Sequence, residues 1–208
     1  MALFEDRAAA GRDLARALDA WRADDALVVG LPRGGVVVAA EVARVLGLPL
    51  TAVAVRKLGA PRHAEFAVGA IADGVRVVHP DADDWATPAQ LAAVEQEERA
   101  ELRRRQALYT VPGRDPAGRT VIVVDDGVAT GATATSACRS LRAHGAARIV
   151  LAVPVAPAAW RPEPGLADDY VCPHPQQHLW AVGQYYDDFR QARDAEVVAL
   201  LARDLRAD

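Results

Sequence analysis

Cysteine and long apolar runs are both scarce in this 208-residue chain. Its two cysteines, Cys138 and Cys172, match neither a disulfide framework nor a metal-binding spacing, so we expect ordinary thiols in a reducing compartment. No uncharged apolar run approaches the roughly 20 residues that a membrane span needs, and no membrane association is expected. The N-terminal segment is charged and lacks the apolar core of a secretory signal. These features together predict a cytoplasmic protein.

Positive charge and aromatic residues are also in short supply. The chain has 24 Lys and Arg against 28 Asp and Glu, a net charge of -4, whereas a mainly electrostatic nucleic-acid binder normally carries a basic face. We therefore expect no nucleic-acid partner. Aromatics make up 5% and hydrophobic residues 51%, with abundant Ala and Val, which suits helices packed closely on a sheet. The length fits a single domain over residues 1–208.

Short apolar runs rich in β-branched residues alternate with helical patterns along the chain. Such runs are typical of strands that are buried on both faces of a parallel sheet. Strands that alternate with helices predict an α/β fold, a mainly parallel sheet with helices on both faces. The predicted core elements are strands at 26–30, 51–55, 120–124 and 148–153, and helices at 35–46 and 132–144.

The remaining segments predict a small hood or lid over the core. A hairpin at 68–72 and 75–78 turns at Asp73-Gly74, and a charged helix spans 88–109. The tail from Cys172 is irregular, and a helix closes the chain at 194–206. We expect the hood to be built from residues 60–110 and 172–190.

Residues 121–137, VIVVDDGVATGATATSA, combine features that suit a phosphate-bearing sugar. A strand ends in Asp125 and Asp126, a loop of small residues follows, and a helix begins near Ala132. In open α/β sheets, ligands bind beyond the carboxyl ends of the strands, where this loop falls. A helix N-terminus offers free N–H groups and partial positive charge to an anion. The segment therefore predicts a phosphate site.

The adjacent carboxylates require their own explanation, because carboxylates repel phosphate. A sugar diol supplies one, since its hydroxyls donate hydrogen bonds that ionised carboxylates accept strongly. The same charge favours a cationic, oxocarbenium-like transition state at the anomeric carbon. Gly127 and Gly131 let the backbone approach an anion, and Thr130 and Thr133 add hydroxyl donors. An acidic pair that merely ends a strand is the structural alternative.

The stretch VIVVDDGVATGAT resembles the signature of type I phosphoribosyltransferases that binds 5-phosphoribosyl-1-pyrophosphate (PRPP). LPRGG at 31–35 follows the first strand, where the family places its pyrophosphate loop. VAVRKLGAP, with Arg56 and Lys57, is similar to the corresponding stretch of adenine and orotate phosphoribosyltransferases. The whole chain, including AVGQYYDDF at 181–189, resembles a poorly characterised bacterial group of this family, some members of which are fused to hydrolase domains.

The resemblance implies transfer of the phosphoribosyl group of PRPP to a nitrogenous acceptor, a nucleobase or another N-heterocycle, with release of pyrophosphate. It implies that Mg²⁺ arrives with PRPP, held mostly by PRPP oxygens and water rather than by protein ligands. It implies a pyrophosphate loop with a strained or cis non-proline peptide. It also allows a homodimer. The implied catalytic residues are Asp125, Asp126, Arg56 and Lys57, and the implied substrate-binding residues are Arg33, Gly34, Gly35, Gly127, Val128, Ala129, Thr130, Gly131, Ala132 and Thr133.

Ala129 departs from the family pattern, because 6-oxopurine enzymes carry an aspartate at this place. An alanine cannot be a general base, so a hypoxanthine- or guanine-type mechanism is not expected. Glu65 is a candidate acid or base, although a solvated loop charge is the alternative. Trp180 in the tail could stack on a planar base or serve as a core or lid anchor. His174 and His178 are four residues apart, but flanking prolines spoil a helix, and no metal pair is predicted.

Two other functions remain open beside the transferase. One is a PRPP-binding sensor or regulatory protein without efficient turnover. The other is PRPP synthesis, for which the sequence offers no separate ATP-binding element. Arg33, Arg56 and Lys57 favour the transferase, because a departing pyrophosphate needs cations whereas sensing alone needs less leaving-group chemistry.

Overall fold

The computed structural model describes residues 2–22, 24–61 and 63–204, with side chains at all of these except 63–67 and 80. The strands are β1 (Ala26–Gly30), β2 (Leu50–Ala52), β3 (Val55–Ala60), β4 (His63–Ala72), β5 (Val75–Val78), β6 (Thr120–Val124), β7 (Arg148–Ala152), β8 (Val155–Pro157), β9 (Asp169–Val171) and β10 (His174–Gln176). The helices are α1 (Arg7–Ala17), α2 (Gly34–Leu46), α3 (Pro88–Tyr109), α4 (Ala132–Ala143) and α5 (Asp194–Asp204), with 3-10 turns at Asp19–Trp21, Pro80–Asp84 and Val182–Tyr185.

The central sheet has five strands in the order β2-β1-β6-β7-β9, and every neighbouring pair is parallel. The register pairs Gly30 with Val124 and Val124 with Ala152, so β1, β6 and β7 end at the same edge. The loops that follow these strands therefore lie side by side at that edge. The predicted α/β fold with a parallel sheet is confirmed.

Alternate residues of the central strands face opposite layers of helices, as the two-residue period of a strand requires. Val28 and Ile122 belong to the core cluster that contains α2 side chains, whereas Leu27 and Val121 pack with those of α4. All four side chains are buried. Burial on both faces explains why these strands read as continuous apolar runs, each side chain contributing about 1.5–3 kcal/mol.

A separate antiparallel sheet, in the order β3-β4-β5, packs against α3. The predicted hairpin is confirmed: β4 and β5 pair across a turn in which Gly74 has a φ of 65°. The prediction of one strand at 51–55 was wrong, because β2 ends at Ala52 and the chain crosses to the second sheet before Val55. Arg56 and Lys57 consequently lie within β3 rather than after a strand of the central sheet.

The tail after residue 171 is largely irregular, as predicted, apart from β10, which pairs in parallel with β8, and the 3-10 turn at Val182–Tyr185. β9, which was not predicted, precedes it and forms the edge of the central sheet. The closing helix begins at Asp194 as predicted and is described as far as Asp204, the end of the described chain. Closure of residues 60–110 and 172–190 over the site as a hood stays a prediction. Among the described residues, no helix has both the length and the apolar character needed to cross a bilayer.

Candidate active site

The loop after β6 connects the buried end of that strand to the start of α4. Gly131 caps α4 in the left-handed conformation, with a φ of 85°, which L side chains rarely adopt. A Cβ on Gly127 would lie 2.6 Å from the Val182 side chain, so only glycine fits there. A Cβ on Gly131 would lie 2.6 Å from the Trp160 indole. Close packing at these two glycines places the loop against β8 and against the segments that contain Trp160 and Val182.

Asp125 and Asp126 each use one carboxylate oxygen within the protein. The N–H of Asp126 donates to Asp125 Oδ1 at 2.9 Å, and Arg7 Nε donates to Asp126 Oδ2 at 2.8 Å. The other two oxygens, Asp125 Oδ2 and Asp126 Oδ1, accept no hydrogen bond from another residue among those whose side chains the structure describes. One acceptor on each acid therefore remains for a ligand. A vicinal diol has two hydroxyl donors, which these two oxygens could accept.

The electrostatics of the two acids oppose their ionisation. Burial against protein atoms raises the pKa of Asp125 well above its usual range, and the neighbouring charge of Asp126 raises it further. Burial also raises the pKa of Asp126, while the positive charge of Arg7 and its hydrogen bond lower it. Lys57 acts in the same lowering direction on both acids. The pair is thus a partly desolvated acidic site in which Arg7 and Lys57 offset part of the effect of burial.

The loop between β1 and α2 lies against the two acids. The peptide bond between Pro32 and Arg33 is cis. A Cβ on Gly34 would collide with the Asp126 carboxylate, and one on Gly35 would lie 2.8 Å from the Val124 carbonyl oxygen. The glycines therefore allow a close approach that no other residue type could make. The Arg33 side chain is directed elsewhere, with its Nη1 3.7 Å from Asp194 Oδ1.

A cavity of about 410 Å³ joins three of the predicted segments. Pro32, Arg56, Lys57 and Thr133 line it together with residues of α3. The guanidinium of Arg56 pairs with Glu98 of α3, with Nε 2.5 Å from Oε2. The loop after β1, the antiparallel sheet and the first turn of α4 thus converge on one space.

The sequence analysis named further candidates, and none of those whose side chains the structure describes lines this cavity. Trp180 is 90% exposed, so it is not a core anchor. Glu65 lies in β4, but its side chain lies outside the described part of the molecule. His174 contacts Asp13, with Nε2 2.7 Å from Oδ2, while the carbonyl oxygen of His178 accepts a hydrogen bond from Tyr185. Ala129 and Thr130 are exposed at the tip of the loop.

The sequence analysis missed Arg7 and Glu98 as parts of the site. Arg7 belongs to a charged N-terminal helix, and Glu98 belongs to a helix rich in acid–base pairs. Both patterns are typical of solvated helix surfaces. No local signal distinguishes either residue from its charged neighbours, because its partner is 119 or 42 residues away.

The chain matches a known family model over most of its length. The model described as "Phosphoribosyl transferase domain" matches residues 5–190. "Putative phosphoribosyl transferase Rv0571c" of Mycobacterium tuberculosis strain H37Rv is 47% identical over 213 residues, covering 98% of this chain and 47% of that protein. The counterpart MT0597 of strain CDC 1551 has the same identity and coverage. The chain therefore spans about half the length of these relatives.

A solved structure agrees with the fold. The crystal structure of TT1426 from Thermus thermophilus superposes with a TM-score of 0.73 at 40% identity. The match covers 96% of this chain and 98% of that one. The parallel-sheet architecture described above is therefore shared over nearly the full length of both chains.

Proposed function

The chain belongs to the phosphoribosyl transferase family, and we propose from this premise that it transfers the phosphoribosyl group of PRPP to a nitrogenous acceptor. The observation that carries the proposal is the pair of free carboxylate oxygens on Asp125 and Asp126, next to the N-terminus of α4. A ribose presents two adjacent hydroxyls to match these oxygens, and a 5-phosphate suits the helix N-terminus.

Each part of PRPP would have a suitable partner in the proposed site. The backbone of 127–133 and the hydroxyls of Thr130 and Thr133 would bind the 5-phosphate, with Val128, Ala129 and Ala132 contributing backbone groups alone. The N–H groups of 33–35 would contact the pyrophosphate. Arg56 and Lys57, which line the cavity, would neutralise its charge. These assignments remain those that the family resemblance predicted.

The reaction is a substitution at the anomeric carbon of the ribose. A nitrogen lone pair of the acceptor forms the new C–N bond, the C–O bond to pyrophosphate breaks, and pyrophosphate leaves with that electron pair. The acceptor nitrogen gives up its proton, to solvent or to a basic group. Charge on Asp125 and Asp126 would stabilise the positive charge that develops on the sugar, while Arg56 and Lys57 would stabilise the negative charge on the leaving group.

Magnesium is proposed as the companion of PRPP. The cavity suits a hard cation bound to a polyphosphate, because its polar lining consists of carboxylates, a hydroxyl and cations, with neither cysteine nor histidine among the described lining residues. PRPP oxygens and water would supply most of the magnesium ligands. When bound, the ion would reduce the negative charge of pyrophosphate.

The acceptor class is a nucleobase or another N-heterocycle. Ala129 offers no side chain that could accept the base proton, which disfavours a 6-oxopurine mechanism in which this position acts as the base. A sensor that binds PRPP without efficient turnover is the competing function, and the test below separates the two.

The test combines calorimetric titration with PRPP and Mg²⁺ and a pyrophosphate-release assay over purines, pyrimidines and other N-heterocycles. We expect saturable PRPP uptake and release with at least one acceptor. A double variant, Asp125→Asn with Asp126→Asn, should lose both, while Asp83→Asn, on an exposed carboxyl, should retain both. PRPP uptake without release for any acceptor would establish the sensor instead. Absence of uptake, or uptake indifferent to the double variant, would refute both.

A further inference from the structure

Arg7 is the first residue of α1, and local structure fixes its position. The side chain of the N-cap residue Asp6 accepts a hydrogen bond from Ala9 N at 2.7 Å, which anchors the start of the helix. The Arg7 side chain is only 11% exposed, whereas that of Arg16 on the same helix is 77% exposed. Arg7 is therefore inside the molecule at the point where α1 meets the loop after β6.

Three contacts hold the Arg7 guanidinium. Nε donates to Asp126 Oδ2 at 2.8 Å, and Nη1 donates to the carbonyl oxygen of Arg190 at 2.8 Å. The guanidinium carbon lies 3.9 Å from the centroid of the Phe189 ring, in cation–π geometry. An exposed ion pair gains little because both side chains must be ordered. Here the contacts with Phe189 and Arg190 in the tail already order the Arg7 side chain. The entropic cost of ordering it therefore does not cancel the stabilisation that it gives to ionised Asp126.

Asp126 is held from its backbone side as well. The Tyr186 hydroxyl donates to the Asp126 carbonyl oxygen at 2.6 Å, and Gly34 packs directly against the carboxylate. The charged and titratable groups that face this carboxylate are Asp125 from the same loop, Lys57 from β3, Arg7 from α1 and the Tyr186 hydroxyl from the tail. Of these groups, Arg7 alone donates a hydrogen bond to the carboxylate, within the described residues.

We propose that Arg7 is a positioning residue for phosphoribosyl transfer: its guanidinium keeps Asp126 ionised and turned so that Oδ1 accepts a hydrogen bond from a ribose hydroxyl. This role rests on the proposed function. Arg7 donates to Asp126 Oδ2 and leaves Oδ1 for the ribose hydroxyl. Arg7 therefore does not touch the substrate and affects its binding only by way of Asp126. The N-terminal helix and the tail, although far from the predicted signature in sequence, then become part of the PRPP site.

The test compares Arg7→Met and Arg7→Lys with the wild type and with Arg16→Met, a control of the same chemistry on the same helix. PRPP affinity is measured with Mg²⁺ by calorimetry from about pH 6 to pH 9, and Asp126 is titrated in the free protein by carboxyl ¹³C NMR. We expect Arg7→Met to weaken PRPP binding about tenfold or more at the acid end, the effect of disturbing one charge-assisted hydrogen bond. This loss of PRPP affinity should become smaller as pH rises, because at higher pH Asp126 ionises even without the positive charge of Arg7.

Arg7→Lys keeps the charge and should follow the wild-type pH profile, and Arg16→Met should match the wild type throughout. In the NMR titration, Asp126 should ionise at higher pH in Arg7→Met than in Arg16→Met. Equal PRPP profiles and equal Asp126 titrations for these two variants would overturn the role of Arg7 while leaving the proposed function intact. If Arg7→Met does not fold, Arg7→Gln, which removes the charge but keeps a polar side chain, takes its place, and a folded glutamine variant whose PRPP profile and Asp126 titration equal those of Arg16→Met overturns the role. Wild-type protein that takes up no PRPP overturns the proposed function itself.

Discussion

Replacing Asp125 by asparagine should weaken PRPP binding and stabilise the fold at the same time. Asparagine is isosteric with aspartate, and its amide oxygen can still accept the hydrogen bond that Asp126 N donates at 2.9 Å. The substitution therefore removes a charge with little change in packing. Because one oxygen of Asp125 is free for a ligand, the variant loses one charge-assisted hydrogen bond. Such a bond contributes about 1.5–3 kcal/mol, so the Kd for PRPP should rise about 10- to 150-fold.

The effect on stability has the opposite sign. Burial raises the pKa of Asp125 in the folded protein above that of the unfolded chain. Between these two pKa values the folded state binds one proton more than the unfolded state, so the free energy of unfolding of the wild type falls as pH rises. The fall is at most about 1.4 kcal/mol per pH unit for a single group. The asparagine variant has no such proton to lose. It should match the wild type near pH 4 and be the more stable protein at pH 8.

Urea denaturation at pH 4 and pH 8, followed by circular dichroism, measures the stability change, and calorimetric titration with PRPP and Mg²⁺ measures the affinity. Asp83→Asn, on an exposed carboxyl, is the matched control and should change neither quantity. A Kd within about twofold of the wild type would refute the assignment of Asp125 to the ribose, since one charge-assisted bond exceeds that effect. A stability difference that is the same at both pH values would refute the electrostatic account of the site.

Three further perturbations test separate contacts. Glu98→Gln should tighten PRPP binding by about two- to fivefold, as measured by calorimetry. In the wild type, Arg56 must break its ion pair with the half-buried Glu98 carboxylate before it can bind pyrophosphate, and such a pair contributes about 1 kcal/mol or less. Tyr109→Phe should lower the free energy of unfolding by about 1–2 kcal/mol in urea, since the buried tyrosine donates to Asp194 Oδ1 at 2.7 Å. Burial raises the pKa of the Cys138 thiol to about 12, so an alkylating reagent at pH 8 should modify it only as fast as the protein unfolds.

Each of these expectations has a control and a contrary outcome. Glu163→Gln breaks an exposed ion pair with Arg139 and should leave PRPP affinity unchanged. If both glutamine variants changed PRPP affinity equally, the effect would come from the net charge of the protein and not from the release of Arg56. A phenylalanine variant at 109 as stable as the wild type would mean that its hydroxyl contributes nothing. Alkylation of Cys138 in native protein at the rate seen in urea would contradict its burial.

The core strands and the motif after β6 could be predicted because their signals are local. Strands buried on both faces need apolar residues along most of their length, so β1 appears as an apolar run throughout, and β6 and β7 do so after their first residues, Thr120 and Arg148. The acids, the glycine-flanked loop and the start of α4 are contiguous, and their chemistry can be interpreted without knowing what surrounds them. Gly127 and Gly131 were predicted to let the backbone approach an anion, and that stays a prediction; the close neighbours that the structure shows are Val182 and the Trp160 indole.

The boundary between β2 and β3 could not be predicted, because the apolar run crosses from one sheet to another without a break. Ala54 packs in the cluster under α3, and Val55 packs with the α4 side of the central sheet. Both are buried, and burial alone does not identify the sheet to which a residue belongs. The short edge strand β9 was missed for a related reason, since three half-buried residues carry too little periodicity.

The sequence by itself determined the parallel α/β core and the chemical character of the segment that begins with Asp125, because both follow from the order of neighbouring residues. Only the tertiary structure decided which charges support the two acids. Arg7 reaches Asp126 across 119 residues, and Arg56 finds Glu98 across 42. A charged side chain gains from whichever opposite charge the fold brings within a few ångströms, and that distance is a property of the packed chain rather than of the residue and its sequence neighbours.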